Sequence, residues 1–159
     1  MTALLDTVDP DGLLEYSVVF TDRSLNHMSQ SFQQVMRDIS EMLKDVYKAD
    51  AVALVPGGGT YAMEAVARQF GTDAHALVVR NGWFSFRWSQ IFDAGKFTSD
   101  TTVCMARQTG NGPTAPFAPA PIDEVTAKIR EARPDVVFAP HVETSAGLIL
   151  PDEYITALA

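Results

Sequence analysis

Four short apolar runs, separated by segments of helical periodicity, constrain this chain more than any other feature. The runs cover residues 51–55, 76–79, 101–105 and 136–139. Each is continuously apolar or β-branched, as strands covered on both faces must be. Between them lie 60–70, 83–92 and 122–132, each long enough to cross back over a sheet. Pro121 sits at the start of the last helical segment and Pro134 beyond its end, where a missing N–H costs least. Strands alternating with helices predict an α/β layer with mainly parallel neighbours and right-handed crossovers.

Upstream of this alternation, Phe32, Val35, Met36, Ile39, Met42, Leu43, Val46 and Tyr47 follow the three-four spacing of one helix face. A long amphipathic helix is expected there, with Ser29 or Ser31 available as its cap. Residues 1–27 lack periodicity and read as an amino-terminal arm, leaving 28–159 as the folded part. The connection 108–121 is long and rich in Gly and Pro. It either wraps the surface, or is functional and lies across a partner. The final segment from Pro151 opens like a helix and stops without a terminating Gly, a basic last turn or a proline. That is the pattern of a frayed end or of a chain cut in mid-element, and the second is the expectation.

Charge excludes one class of function. The net charge is −8 and the basic residues are scattered singly, so a nucleic-acid surface, which needs clustered Lys and Arg, is not expected. The one cysteine, Cys104, excludes an internal disulfide framework or a Cys-cluster metal site and fits a reducing compartment. The acidic amino terminus and the lack of a long apolar run point to a soluble, cytoplasmic protein with no membrane span.

Three loops carry chemistry. Pro56, Gly57, Gly58, Gly59 and Thr60 join a strand-like run to a helix, so converging N–H groups and the helix's positive end can hold a phosphate or carboxylate. No Lys follows as in a Walker motif, and a tight strand-to-helix connection would use the same glycines. Asn81, Gly82, Trp83 and Phe84 place two aromatics at the carboxyl edge of the sheet, where ligands of open α/β sheets bind; core or interface packing is the alternative use. The third loop, His141 to Gly147, brings an imidazole, a carboxylate and two hydroxyls to the same edge. A metal or a hydrolytic triad fits these residue types, but His141 has no partner ligand at an interpretable spacing. Hydrogen bonds from Thr144 or Ser145 to a ligand ask for less. His27 and His75 are isolated and read as solvated or structural.

These motifs, Gly58-Gly59-Thr60-Tyr61-Ala62-Met63-Glu64-Ala65, Asn81-Gly82-Trp83-Phe84 with Arg87 and Trp88, and His141-Val142-Glu143-Thr144-Ser145-Ala146-Gly147, resemble class V aminotransferases of pyridoxal-phosphate fold type I. Serine–pyruvate and alanine–glyoxylate transaminases are the nearest in pattern. The resemblance runs from about Asn26 onward and covers only the front part of the family's length. It implies an incomplete fold type I large domain with pyridoxal 5'-phosphate as cofactor. Gly58, Gly59 and Thr60 would hold the cofactor phosphate, Phe84 would stack on the ring, with Trp83 the fallback if the register slips, and Thr144 would bond the phenolic oxygen. The family often has Ser where Gly58 stands and Thr where Ala146 stands.

By the same resemblance the full enzyme moves an amino group between a small amino acid and an α-keto acid, as a homodimer with sites at the subunit interface. The 32–47 helix and the proline-rich loop are candidate contributors to that contact. No catalytic residue is expected within the chain: the Schiff-base lysine and the aspartate that protonates the pyridine nitrogen should lie beyond Ala159. Lys44, Lys48, Lys96 and Lys128 do not match the family's lysine motif, so the chain alone is expected to be inactive. A desulfurase would need a nucleophilic Cys on a mobile loop, and Cys104 lies in a strand-like run. The rival outside enzymes is a non-catalytic nucleotide- or cofactor-binding module, or a half-protein completed by a partner chain.

Overall fold

A computed structural model of the protein describes His27 and residues 30–159. Apart from His27, the arm expected over 1–27 lies outside the described residues. The chain divides into two compact units, the first ending at Val55 and the second running Pro56–Ala159.

In the first unit, helix α1 spans Gln30–Tyr47. Ser31 falls inside its first turn and so is not the cap; Ser29 lies outside the described residues. Val35, Ile39, Met42 and Val46 form the expected apolar stripe, and all four are exposed. The run 51–55, expected to be a strand, forms none. A strand exists only by pairing its backbone groups, and no described strand pairs with this run.

The second unit contains helix α2 (Gly59–Gly71), strand β1 (His75–Arg80), helix α3 (Trp83–Gly95), strands β2 (Asp100–Met105), β3 (Arg107–Gln108) and β4 (Phe117–Ala118), helix α4 (Ile122–Ala132), strands β5 (Val136–Phe138), β6 (Val142–Glu143) and β7 (Leu148–Ile149), and helix α5 (Asp152–Leu158). A parallel three-stranded sheet in the order β2-β1-β5 is its centre. The side-chain period of two divides β1 between two cores. Leu77 and Val79 pack with Val125 of α4, Leu150 and Tyr154 of α5, while Ala76 and Val78 pack with Ala67 of α2 and Phe92 of α3. Helices therefore cover both faces of the sheet. Each fully buried Leu or Val contributes about 1.5–3 kcal/mol, and in the central strand all four residues from Ala76 to Val79 are buried.

Three further readings need correction, the last of them the alternative given for the final segment. Strand β2 is half-exposed rather than covered on both faces, because among the described residues it is an edge strand that pairs with β1 alone. The 108–121 connection is not a simple wrap: β3 and β4 pair as a hairpin, closed further by Thr109 N–H to the Pro116 carbonyl at 2.8 Å and Gln108 Nε2 to the Gly112 carbonyl at 2.6 Å. Helix α5 is docked rather than frayed, since Tyr154 is buried and its hydroxyl donates to the Ala120 carbonyl at 2.8 Å. No helix among the described residues is long and apolar enough to cross a membrane.

Topology decides where a site can form. After β1 the chain turns to α3 on one face, whereas after β5 it turns to α5 on the other. Diverging connections from adjacent parallel strands open a crevice at the carboxyl edge of a sheet. The 81–82 turn and the 141–147 loop border that crevice.

Candidate functional site

The turn 56–58 delivers the chain into α2 without a side-chain cap. Gly57 has φ +128°, and a Cβ there would overlap the Tyr61 ring, so glycine is required. By contrast, a Cβ at Gly58 or Gly59 would meet nothing within 4 Å. Gly58 is the N-cap and no side chain caps the turn. Among the described residues neither the Gly59 nor the Thr60 N–H is bonded to an acceptor, so both remain available at the positive end of a helix.

The start of α3 is the opposite case, because a segment about sixty residues away seals it. The Trp83 N–H donates to Ser145 Oγ at 2.8 Å, the Phe84 N–H to Glu143 Oε1 at 3.1 Å and the Ser85 N–H to Glu143 Oε2 at 2.8 Å. The Ser85 hydroxyl also donates to Oε2 at 2.6 Å, and the Ser145 hydroxyl to Oε1. Ser85 Oγ in turn accepts the Asn81 N–H at 2.8 Å and the Gly82 N–H at 3.0 Å. Glu143 is only 1% exposed. Burial by itself pushes its pKa up; the hydrogen bonds from the Ser145 and Ser85 hydroxyls and the Ser85 and Phe84 N–H groups outweigh burial and hold the carboxyl below its ordinary value. An external anion therefore has no place at α3, and the open helix end is that of α2.

Arg87, one turn into α3, links the two helices. Its Nη1 donates to Thr60 Oγ1 at 2.7 Å, and its guanidinium lies 5.4 Å from the centre of the Phe84 ring. Among the described residues Arg87 has no ion-pair partner. A half-buried cation without an acid, beside the positive end of α2, supplies the charge complement an anion would need.

The five residues singled out as cofactor contacts fall as follows. Gly58, Gly59 and Thr60 are exposed at the mouth of α2, and Thr60 connects through Arg87 to Phe84, whose ring is 43% exposed. Thr144 is exposed and opens the 3-10 turn Thr144–Ala146, directly after Glu143, which bonds the Phe84 N–H. Trp83 points elsewhere: with Asn81, Phe86, Phe117, Ser145 and Ala146 it lines a separate cleft of about 460 Å³. Phe84 and not Trp83 is therefore the aromatic linked to Thr60.

Other candidates acquire structural explanations. His141 is exposed, and among the described residues no group of His, Cys, Asp and Glu is placed to hold a metal ion. His75 Nε2 lies 2.8 Å from Thr102 Oγ1 and its N–H donates to Asp135 Oδ2 at 2.8 Å, a strand-end arrangement. Cys104 packs beside the Leu77 core, and burial, more than its charged neighbours, pushes its thiol pKa up. Lys44 pairs with Glu41 on α1 and Lys48 with Asp45; within the second unit Lys96 ends α3 and Lys128 lies on α4, neither in the 81–82 turn nor in the 141–147 loop.

Glu143, Ser85 and Arg87 build the site without standing out in the sequence as site residues. Arg87 could have been found, since it sits at i+3 from Phe84 on one helix face. Nothing local signals a buried carboxylate at Glu143, because apart from the nearby Ser145 hydroxyl its partners lie 58 and 59 residues away.

No protein-family model matches the chain, and a search of curated proteins finds no match. The fold is similar to that of the ureidoglycine–glyoxylate aminotransferase of Bacillus subtilis, with a TM-score of 0.65 and 19% sequence identity over 84% of this chain. The chain spans about a third of that enzyme's length, 33% of it being matched.

Proposed function

We propose that this chain is the phosphate- and ring-binding part of a pyridoxal-phosphate-dependent aminotransferase of the class V type, moving an amino group between a small amino acid and an α-keto acid. Domain organisation follows the same reading: an arm over 1–27 and, over 28–159, the first part of the cofactor-binding large domain. A homodimer is the proposed working unit.

One observation carries the reading. An uncapped helix end, an aromatic face and a hydroxyl-bearing turn are tied together at one sheet edge, in a fold similar to that of an aminotransferase. The residues fit the cofactor on the chemistry of their donors. Gly59 and Thr60 offer N–H groups with no acceptor among the described residues, the Thr60 hydroxyl and the Arg87 guanidinium add polar and positive groups, and Glu143 occupies the neighbouring helix end, that of α3. In this reading Thr60, with Gly58, Gly59 and Arg87, binds the phosphate dianion. Phe84 holds the ring plane, a contact of about 0.5–1.5 kcal/mol beyond area burial. Thr144 donates to the phenolic oxygen. Bound pyridoxal phosphate supplies a ring that takes up the electron pair left when the substrate's α-proton departs. Removing that proton needs a lysine, and Lys44, Lys48, Lys96 and Lys128 do not match the family's lysine motif, so in this reading the residues named above bind and orient while the base comes from elsewhere in the enzyme.

The test uses the full-length protein. Titration with pyridoxal phosphate, ATP and NAD should show preference for pyridoxal phosphate and a visible absorbance that borohydride bleaches. Preferential nucleotide binding would overturn the assignment in favour of a nucleotide-binding module.

A further inference from the structure

We propose that Glu143 is the positioning residue of this site: by binding the amino end of α3 and the 143–145 turn together, its carboxylate sets the ring-facing aromatic and the hydroxyl turn in one geometry. This rests on the cofactor reading above.

The two segments that Glu143 joins have no covalent reason to be neighbours. One carries Phe84 and the other Thr144, and the carboxylate belongs to the residue directly before Thr144 while accepting the N–H of Phe84 itself. Four donors converge on its two oxygens: Phe84 N–H and the Ser145 hydroxyl on Oε1, Ser85 N–H and the Ser85 hydroxyl on Oε2. An ionised carboxylate accepts all four and has no proton of its own to misplace. An amide accepts at one end only and would present an N–H₂ group to N–H and O–H donors at the other. Ser145 completes the junction by accepting the Trp83 N–H. Gly82 lets the segments close, since a Cβ there would lie 2.6 Å from Ser145 Oγ and 2.8 Å from Glu143 Cδ. A surface cap would not need this depth or this number of donors; at 1% exposure the carboxylate is built into the junction.

The experiment measures pyridoxal phosphate affinity and the position of the bound cofactor's absorbance band in the full-length protein, for wild type, Glu143→Gln, Ser145→Ala, Thr144→Ala and Val125→Ala. Glu143→Gln should weaken binding about 10- to 100-fold through misplacement of the stacking and hydroxyl contacts together. It should also move the band in the same direction as Thr144→Ala. Ser145→Ala, which keeps the carboxylate, should do the same by a smaller factor, and it carries the test alone should Glu143→Gln not fold. Val125→Ala opens the core on the sheet's other face, so it should lower the melting temperature yet leave affinity and band unchanged. Wild-type affinity and band in both Glu143→Gln and Ser145→Ala would overturn the proposal, as would an equal loss of affinity in Val125→Ala, which would make the role of Glu143 structural only. A wild-type protein that takes up no pyridoxal phosphate would instead refute the cofactor reading, and that result is read before any variant.

Discussion

Adding one methyl group at Gly82 probes the junction without removing a polar atom. Its φ of 176° is extended backbone open to any residue, so Gly82→Ala brings no backbone strain. The cost is steric, because the new Cβ would lie 2.6 Å from Ser145 Oγ and 2.8 Å from both Glu143 Cδ and Cγ. Neither neighbour is a loose chain end: Ser145 Oγ holds the Trp83 N–H, and the carboxylate holds two more N–H groups of α3. Overpacking in place costs about 1–3 kcal/mol. Withdrawing the carboxylate gives up hydrogen bonds to a charged group, about 1.5–3 kcal/mol each. The chain takes the cheaper route, and Ala returns about 0.4–1 kcal/mol by restricting the unfolded chain. The expected net loss is therefore about 1–2 kcal/mol, which lowers the melting temperature by about 2–8 °C at this chain length. Urea denaturation of Gly82→Ala beside Gly59→Ala measures it. Gly59 opens a helix with free space around it, so its Ala variant should be neutral or slightly stabilising. Stability of Gly82→Ala equal to wild type would refute the close approach of the two loops.

Glu143 also predicts a pH dependence. Its folded-state pKa lies below its ordinary 4.5, so the unfolded chain binds the proton more readily and stability rises with pH. The contribution is complete above about pH 4.5 and is lost as pH falls through the lower folded value; urea midpoints against pH should show an acid limb that Glu143→Gln shortens. Arg87→Met should narrow the preference for pyridoxal phosphate over pyridoxal, measured by competitive binding, because the proposed site sets this cation against the phosphate and not the ring alone. Unchanged discrimination would remove Arg87 from the anion site. Leu77→Ala, at the centre of β1 and fully buried, should cost about 2–5 kcal/mol in chemical denaturation.

Periodicity was a sound guide wherever burial and pairing followed from local pattern. Helix α4 runs Ile122–Ala132 as its flanking prolines indicate, and β1 and β5 lie where the apolar runs do. It failed at 51–55, where an equally apolar run has no described partner strand, and at 108–121, where a hairpin formed from residues that looked only like punctuation. In both places pairing, not composition, was the deciding quantity.

The glycine turn, the aromatic pair and the hydroxyl loop were legible in the sequence because each is a local solution: a tight turn, a helix start, a strand end. What held them together was not. Whether α2 or α3 offers an open helix end depends on Glu143 reaching α3 from 58 and 59 residues away, and whether Phe84 or Trp83 faces Thr60 depends on which of them Arg87 covers. Local spacing specifies which groups a segment can present. Only the packed sheet, by bringing distant segments within hydrogen-bond reach, decides which of those groups are consumed inside the protein and which are left facing a ligand.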